Sequence, residues 1–313
     1  MKIGLTNIVS CKIGSTQVNR VYIGSTLIWS YSAFDPDAQL FITNAAITEP
    51  VQQNAVNNLV INLKNYGIWS KMKALYPMVG GTAAQHKFNL KNPLDTDAAF
   101  RLVFNGGFTH SSTGALPNGT NAYANTFLNP STTLTNNNYH LSNYSRTQIT
   151  STNSIDIGCS ESDGRMIGLS QYYNVSHLKK LFLAGDYGST FLSVNNTDTL
   201  GFQIGTRTSN VLAKMFQDGV QAGTTYTGTN TNALPIRNMY ISANNSGGLG
   251  IPNDYSPRQL AFSAIGDGLT DTEAANYYTA VQTFQTSLNR QVGVPIVADS
   301  DAQAFLNAAV IED

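Results

Sequence analysis

Between about Ala99 and Ala264 the chain is cut into short runs, apolar throughout or alternating, by clusters of Gly, Asn, Asp and Ser. "AFRLVFNGG", "KKLFLAGD", "TLGFQIGTRT", "VLAKMFQDGVQAG" and "IRNMYISANN" are examples. Runs of this length between turn residues read as strands. Asp218-Gly219, within "QDGV" from Gln217 to Val220, is a strong hairpin signal. Many short strands joined by long polar loops leave few choices: a two-sheet sandwich or a jelly roll.

Composition agrees. The 313 residues suffice for one large domain or two small ones, and 42% are hydrophobic, enough for a core. Only 12% are charged, about half the usual share, so the surface has to be built from Asn, Thr, Ser and Gly. That is uncommon for a cytosolic enzyme and suits an all-β protein facing the outside. The net charge of −1, with no long basic run, argues against nucleic acid or an anionic membrane as partner. No stretch approaches the length of a membrane span, and no signal peptide is readable after Met1. Cys11 and Cys159 have no metal-ligand spacing. A single disulfide is allowed, but two unpaired thiols are expected.

Around the strand region the pattern differs. "KIGLTNIVS", "KIGSTQVNR" and "YIGSTLIWS", starting at Lys2, Lys12 and Tyr22, repeat with a period of about ten and read as three short strand-turn units. Such units bury little alone and need a docking surface, with Trp29 as a packing anchor. Asp35-Pro36-Asp37 reads as a helix start, followed by Ala38, Phe41, Ile42 and Ala45 on one face. A second helix is expected from about Pro50, with Ala55, Val56, Leu59 and Leu63 on one face and Gly67 as its stop. A third is expected from about Ile68 to Leu75, with Trp69, Met72 and Tyr76 as a core ridge. Thr270 and Glu273 form a capping box for a closing helix whose Ala274, Tyr277, Val281, Phe284 and Leu288 share a face. The chain ends on "DSDAQAFLNAAVIED", Asp299 to Asp313, an ungapped partial copy of "DPDAQLFITNAAITE" from Asp35.

"DPDAQLFITNAAITEP", "GIWSKMKALYPMVGGTAAQHKFNLKNP", "GALPNGTNAYANTFLNP", "LSNYSRT" and "IGDGLTDTEAANYYTAVQTFQTSLNRQVG" resemble the concanavalin A-like (laminin-G-like) jelly-roll proteins of bacteriophages infecting Bacteroidetes-type bacteria. "VYIGSTLIWS" is similar to segments that head many phage structural proteins. The resemblance implies a virion protein: a fibre, spike or decoration whose jelly roll faces the host. Release by lysis would also fit a chain with no readable signal peptide.

Hydrolase members of such jelly rolls carry Glu-x-Asp-x-x-Glu on one strand, and this pattern is absent. "CSESDGR" offers Glu161 and Asp163 among turn residues and reads as a solvated loop. His86, His110, His140 and His177 are scattered, with no helical metal-site spacing and no nameable triad. The chain is therefore not expected to be an enzyme. Sugar binding asks for aromatic faces beside Asn, Asp or Gln, often with calcium. "QYYNVSH" supplies Tyr172, Tyr173 and Asn174, and "IPNDYSPR" supplies Asn253, Asp254 and Tyr255; both read as exposed loops that bind glycan. No cofactor is expected; calcium is possible but has no assignable ligands.

The resulting expectation is a mainly β chain: a concanavalin A-like jelly-roll sandwich with flanking helices and a short N-terminal β-repeat segment. Residues 1–33 would anchor to other virion proteins through Ile3, Ile13, Ile23, Ile28 and Trp29. Residues 34–294 would form the helical opening, the jelly roll and the closing helix; residues 295–313 would be the partial copy. The expected role is host attachment at the virion surface through cell-surface glycan, as a homo-oligomer, with a trimer as one such assembly. A purely structural capsid, penton or decoration protein is the alternative, and a glycan depolymerase with a rearranged site the third reading.

Overall fold

The structure, a computed structural model, describes residues 12–13, 16–17, 20–23, 26–30, 34–150, 153–173, 178–185, 191–195, 198–229 and 232–292. In the N-terminal repeats β1 (Lys12–Ile13) pairs antiparallel with β2 (Thr16–Gln17), and β3 (Arg20–Ile23) with β4 (Thr26–Ser30). The pairs Ile13↔Thr16 and Ile23↔Thr26 bracket Gly14 and Gly24. Each of these copies is thus a hairpin, not a single strand. Ile3 lies outside the described residues, and the side chains of Ile13, Ile23, Ile28 and Trp29 do too.

Two helices open the main body. In α1 (Pro36–Asn44) the Asp35 carboxylate caps by accepting from the Asp37 N–H, and Pro36 fits the first turn. α2 (Pro50–Asn65) stops before Gly67, whose φ of 72° only glycine adopts without strain. The expected third helix is not formed. Trp69–Lys71 is one 3-10 turn, and β5 (Met72–Tyr76) is a strand. A spacing of four fits a period of two as well as one of 3.6. Pairing of β5 with β21 (Leu260–Gly266), Tyr76↔Ser263 to Met72↔Gly266, decides between them. Met72 and Tyr76 are nonetheless buried, and Trp69 packs half-buried on the core.

The other elements follow: α3 (Ala83–His86), β6 (Val103–Asn105), β7 (Phe108–Ser111), β8 (Gly114–Pro117), β9 (Tyr123–Asn125), α4 (Pro130–Thr133), β10 (Tyr139–Ser145), β11 (Ile157–Ser160), β12 (Met166–Tyr173), β13 (Leu178–Gly185) and β14 (Phe191–Asn195). Then come β15 (Gly201–Ser209), β16 (Leu212–Gln217), β17 (Val220–Tyr226), β18 (Tyr240–Ile241), β19 (Asn244–Ser246), β20 (Pro252–Asn253) and α5 (Asp271–Ser287). The first sheet runs β17-β16-β15-β10-β21-β8-β7, with β5 also on β21. The second runs β14-β13-β12-β11-β18-β9-β6, with β19 on β11 and β20 on β19. Only β11–β19 is parallel among these pairings. The chain is a mainly β jelly-roll sandwich with flanking helices.

Three layers result. Tyr144, Phe202, Ile204, Phe216 and Phe262 of the first sheet pack with α1, α2 and α5 in one core. Leu141, Ala213, Met215 and Ile265 point the other way, onto Ile157, Cys159, Ile167, Leu169 and Leu181 of the second sheet. Cys159 is a free, buried thiol in that core, and Cys11 lies outside the described residues. The closing helix forms as expected. Thr270 Oγ1 accepts from the Glu273 N–H (3.3 Å) and Glu273 Oε2 accepts from the Thr270 N–H (2.8 Å). Its Tyr277 and Phe284 are fully buried, worth roughly 2–3 kcal/mol each. The three longest helices therefore cover the first sheet's outer face, and the second sheet's outer face carries none of them. Among the described residues no helix is long and apolar enough to cross a membrane.

Candidate functional site

The outer face of the second sheet, which the long helices leave free, carries a polar and aromatic cluster. In β9, Ala124 points into the sandwich core, so Tyr123 and Asn125 point outward; in β18, Ile241 points in and Tyr240 out. Tyr123 and Tyr240 stack with centroids 4.5 Å apart and planes 20° from parallel. Tyr255 lies within electrostatic reach of both. Partial burial raises the Tyr240 and Tyr255 phenol pKa values, and the neighbouring phenols add to it.

Beside the tyrosines runs an amide ladder on β19 and β20. Asn244 Nδ2 donates to Asn253 Oδ1 (2.9 Å) and to Ser160 Oγ (3.0 Å). Asn253 Nδ2 donates to Asp254 Oδ2 (3.1 Å). Asn244 Oδ1 is buried and accepts no hydrogen bond. Asp254 has φ of 50°, which Asp tolerates better than most residues. Burial raises its carboxyl pKa. A cavity of about 390 Å³ opens next to the ladder, lined by Ser160, Glu161, Ser162, Ser246, Leu249 and Asn253 among others. Clefts that hold small molecules begin at about 300 Å³.

Glu161 is not the solvated loop residue expected. Its side chain is only 10% exposed, Oε2 lies 3.4 Å from Arg237 Nε, and Oε1 accepts from the Ile236 N–H (2.8 Å). Its charge is spent on tying the β11–β12 turn to the segment before β18. Asp163 does face solvent and pairs with Arg165 (2.8 Å). Three large aliphatic side chains surround this corner uncovered: Leu249, Ile251 and Ile236, at 62%, 63% and 63% exposure.

Of the six glycan candidates, Asn253, Asp254 and Tyr255 come together here, all half-buried. Tyr172 does not. It belongs to β12, not to a loop, and is 4% exposed. The turn that the Asn in "QYYNVSH" suggested begins later than the two tyrosines. Tyr173 is half-buried and faces the Lys180 ammonium, 4.6 Å from its ring, while Asn174 lies outside the described residues. The reading missed Tyr123 and Tyr240, although the alternation in "YAN" places Tyr123 opposite a small core residue.

A second cluster was invisible at the level of spacing. His86 Nδ1 lies 2.9 Å from His110 Nδ1, beside Phe104 and Phe108. Burial pushes His86 down to about 3, and His110 and the buried Arg290 push the same way. Among the described residues no three His, Cys, Asp or Glu gather as a metal ion would need; calcium keeps no assigned ligands.

No protein-family model matches the chain, and no curated protein matches it. Several solved structures are loosely similar. Domain 4 of an extracellular GH43 arabinanase from Geobacillus stearothermophilus, in complex with arabinotriose, is 14% identical over 66% of this chain and 98% of that domain (TM-score 0.47). A Trypanosoma rangeli sialidase in complex with a difluoro-KDN is 9% identical over 72% of this chain and 39% of the sialidase (TM-score 0.46). The binding domain of Botulinum neurotoxin DC in complex with rat synaptotagmin II is 9% identical over 68% of this chain and 52% of that one (TM-score 0.44). The strand pairing above, and not these likenesses, establishes the architecture.

Proposed function

We propose that the chain is a binding module for carbohydrate, with the site on the helix-free face of its second sheet. The observation that carries this is the stacked Tyr123–Tyr240 pair, with Tyr255 near it and the Asn244–Asn253–Asp254 ladder beside a cavity of about 390 Å³. A sugar offers apolar C–H faces and a rim of hydroxyls. Tyrosine rings suit the first, and amides, a carboxylate and serine hydroxyls suit the second. At a finer level the reading is a bacteriophage virion surface protein, a spike, fibre or tail component that attaches to host glycan. The sequence stretches from Asp35 to Gly293 and the N-terminal repeats support that context.

Glycan-array binding by the full chain, repeated with Tyr240→Ala, tests the module. Binding that Tyr240→Ala abolishes while the melting curve is kept supports it. Absence of binding to every glycan and to host cells, by a folded chain, sinks it. A second reading has its own observation. Leu249, Ile251 and Ile236 leave an aliphatic rim exposed at the same corner, as a protein-docking surface would. It fits a structural subunit of the particle. Copy number separates the two: hundreds of evenly spaced copies per particle favour the structural subunit, a few at a vertex or tail tip favour attachment.

A further inference from the structure

We infer that the groove filled by α1 is also the docking site of residues 299–313 of the same chain, which take it over when α1 leaves. Those residues lie outside the described part, but they align without a gap on 35–49. The structure shows what each position of 35–49 does. The Asp35 N–H donates to Asn57 Oδ1 (2.7 Å), and Lys64 Nζ pairs with Asp35 (2.7 Å) and Asp37 (2.6 Å). Ala38, Phe41, Ile42, Ala45 and Ile47 are buried in the core shared with α2 and α5.

All but one of these groove-facing positions are retained, and the exception is conservative. Asp299, Asp301, Ala302, Phe305, Ala309 and Ile311 are identical to their counterparts, and Leu306 replaces Ile42. The other replaced positions are Pro36, Leu40, Thr43, Ala46, Thr48 and Glu49, all exposed, and the half-buried Asn44. Apart from the conservative change at Ile42 and the change at Asn44, replacement thus follows exposure.

The copy is the weaker occupant. Ala46 holds φ of 50°, and its counterpart Val310 is β-branched, a cost of about tenfold. Asn44 Nδ2 donates to Pro93 O (3.0 Å), a bond that Ala308 cannot make, worth about fivefold. α1 therefore holds the groove at rest by roughly 50-fold. The tether starts from the core that α1 joins: Val292 packs on the same core cluster, and its carbonyl accepts from Tyr144 Oη (2.7 Å). The seven steps from Val292 to Asp299 span up to about 24 Å. A tether that short gives the copy a millimolar effective concentration, which favours its own chain over a second one. Exchange would free everything before Pro50 from the sandwich while keeping the core closed.

Urea unfolding and size-exclusion chromatography of the full chain decide this with Phe41→Asp, Phe305→Asp and the double variant. Phe305→Asp alone is expected to leave stability unchanged, because α1 occupies the groove. Phe41→Asp should leave a folded monomer with a folded-to-unfolded ratio roughly 50-fold lower. Adding Phe305→Asp should then cost at least about tenfold more. The inference is overturned if Phe305→Asp costs the same in both backgrounds, or if Phe41→Asp does not fold. A Phe41→Asp chain rescued only as a dimer overturns its same-chain form.

Discussion

Mild acid should destabilise this chain, and two buried histidines set the slope. His140 Nδ1–H donates to the Asp267 carbonyl (2.6 Å), which leaves Nε2 a bare lone pair, buried and without a partner. Its ring meets Tyr277 edge-on with centroids 5.7 Å apart. His86 is placed alike: if it donates Nδ1–H to His110, its buried Nε2 also stays a lone pair, whereas the other tautomer would bury an unpartnered N–H. Burial, ahead of the local charges, lowers His140 to about 4 and His86 to about 3. The unfolded chain holds these protons with the ordinary value of about 6.5. Between the two values the unfolded state binds more protons, so stability rises with pH there. The contribution is fully present above pH ~6.5 and is lost as pH falls towards the folded values. At pH 5 each histidine has given up about 1.5 pH units, or ~2 kcal/mol, ~4 kcal/mol together. That is a large part of a typical total of about 5–15 kcal/mol. Urea unfolding at pH 8, 6.5, 5.5 and 5 should show this loss at constant m-value. His140→Asn keeps a donor near Nδ1 and removes the titration, so it should lower stability at pH 8 yet halve the drop between pH 8 and 5. A flat profile in the parent, or an undiminished drop in both His140→Asn and His86→Asn, would refute the reasoning.

Other substitutions test single links. Asp156→Asn strips the partner from Arg258, fully buried with it at 2.9 Å, and should cost about 3–5 kcal/mol in a denaturant melt. Gly219→Ala should cost at least ~1 kcal/mol: φ is 80°, and a Cβ would lie 2.6 Å from the Tyr278 ring. Thr270→Ala removes one half of the capping box and should lower stability by about 1 kcal/mol, measured in the same way. Tyr123→Ala should weaken any glycan bound by the parent by about tenfold in a calorimetric titration, with little change in melting.

Local signals with one physical reading were legible. Asp218-Gly219 takes positive φ at both residues, as a turn joining right-twisted strands needs, and Gln217 pairs with Val220 across it. Thr270 and Glu273 satisfy each other's donors within four residues, so no tertiary context can mask them. Ile68–Leu75 was misread because "WSKMKALY" satisfies both periods. The register with β21, almost two hundred residues away, chose the strand. What propensity leaves balanced, long-range pairing decides.

The site was legible only by halves, for a related reason. Asn253, Asp254 and Tyr255 are adjacent in sequence, so composition alone can nominate them. Tyr123 and Tyr240 join them only because β9 and β18 pair, Tyr240↔Asn125 and Ile241↔Ala124. Strand polarity could be read in each stretch, but not that the two strands are neighbours. Tyr172 shows the converse error: two tyrosines before an Asn suggest a loop, yet β12 continues through Tyr173 and Tyr172 is buried in it. His86 and His110 meet by the same kind of long-range closure, from α3 and β7. In a sandwich, residue type tells what a position can do. Strand order tells which positions do it together, and that order is a property of the whole chain.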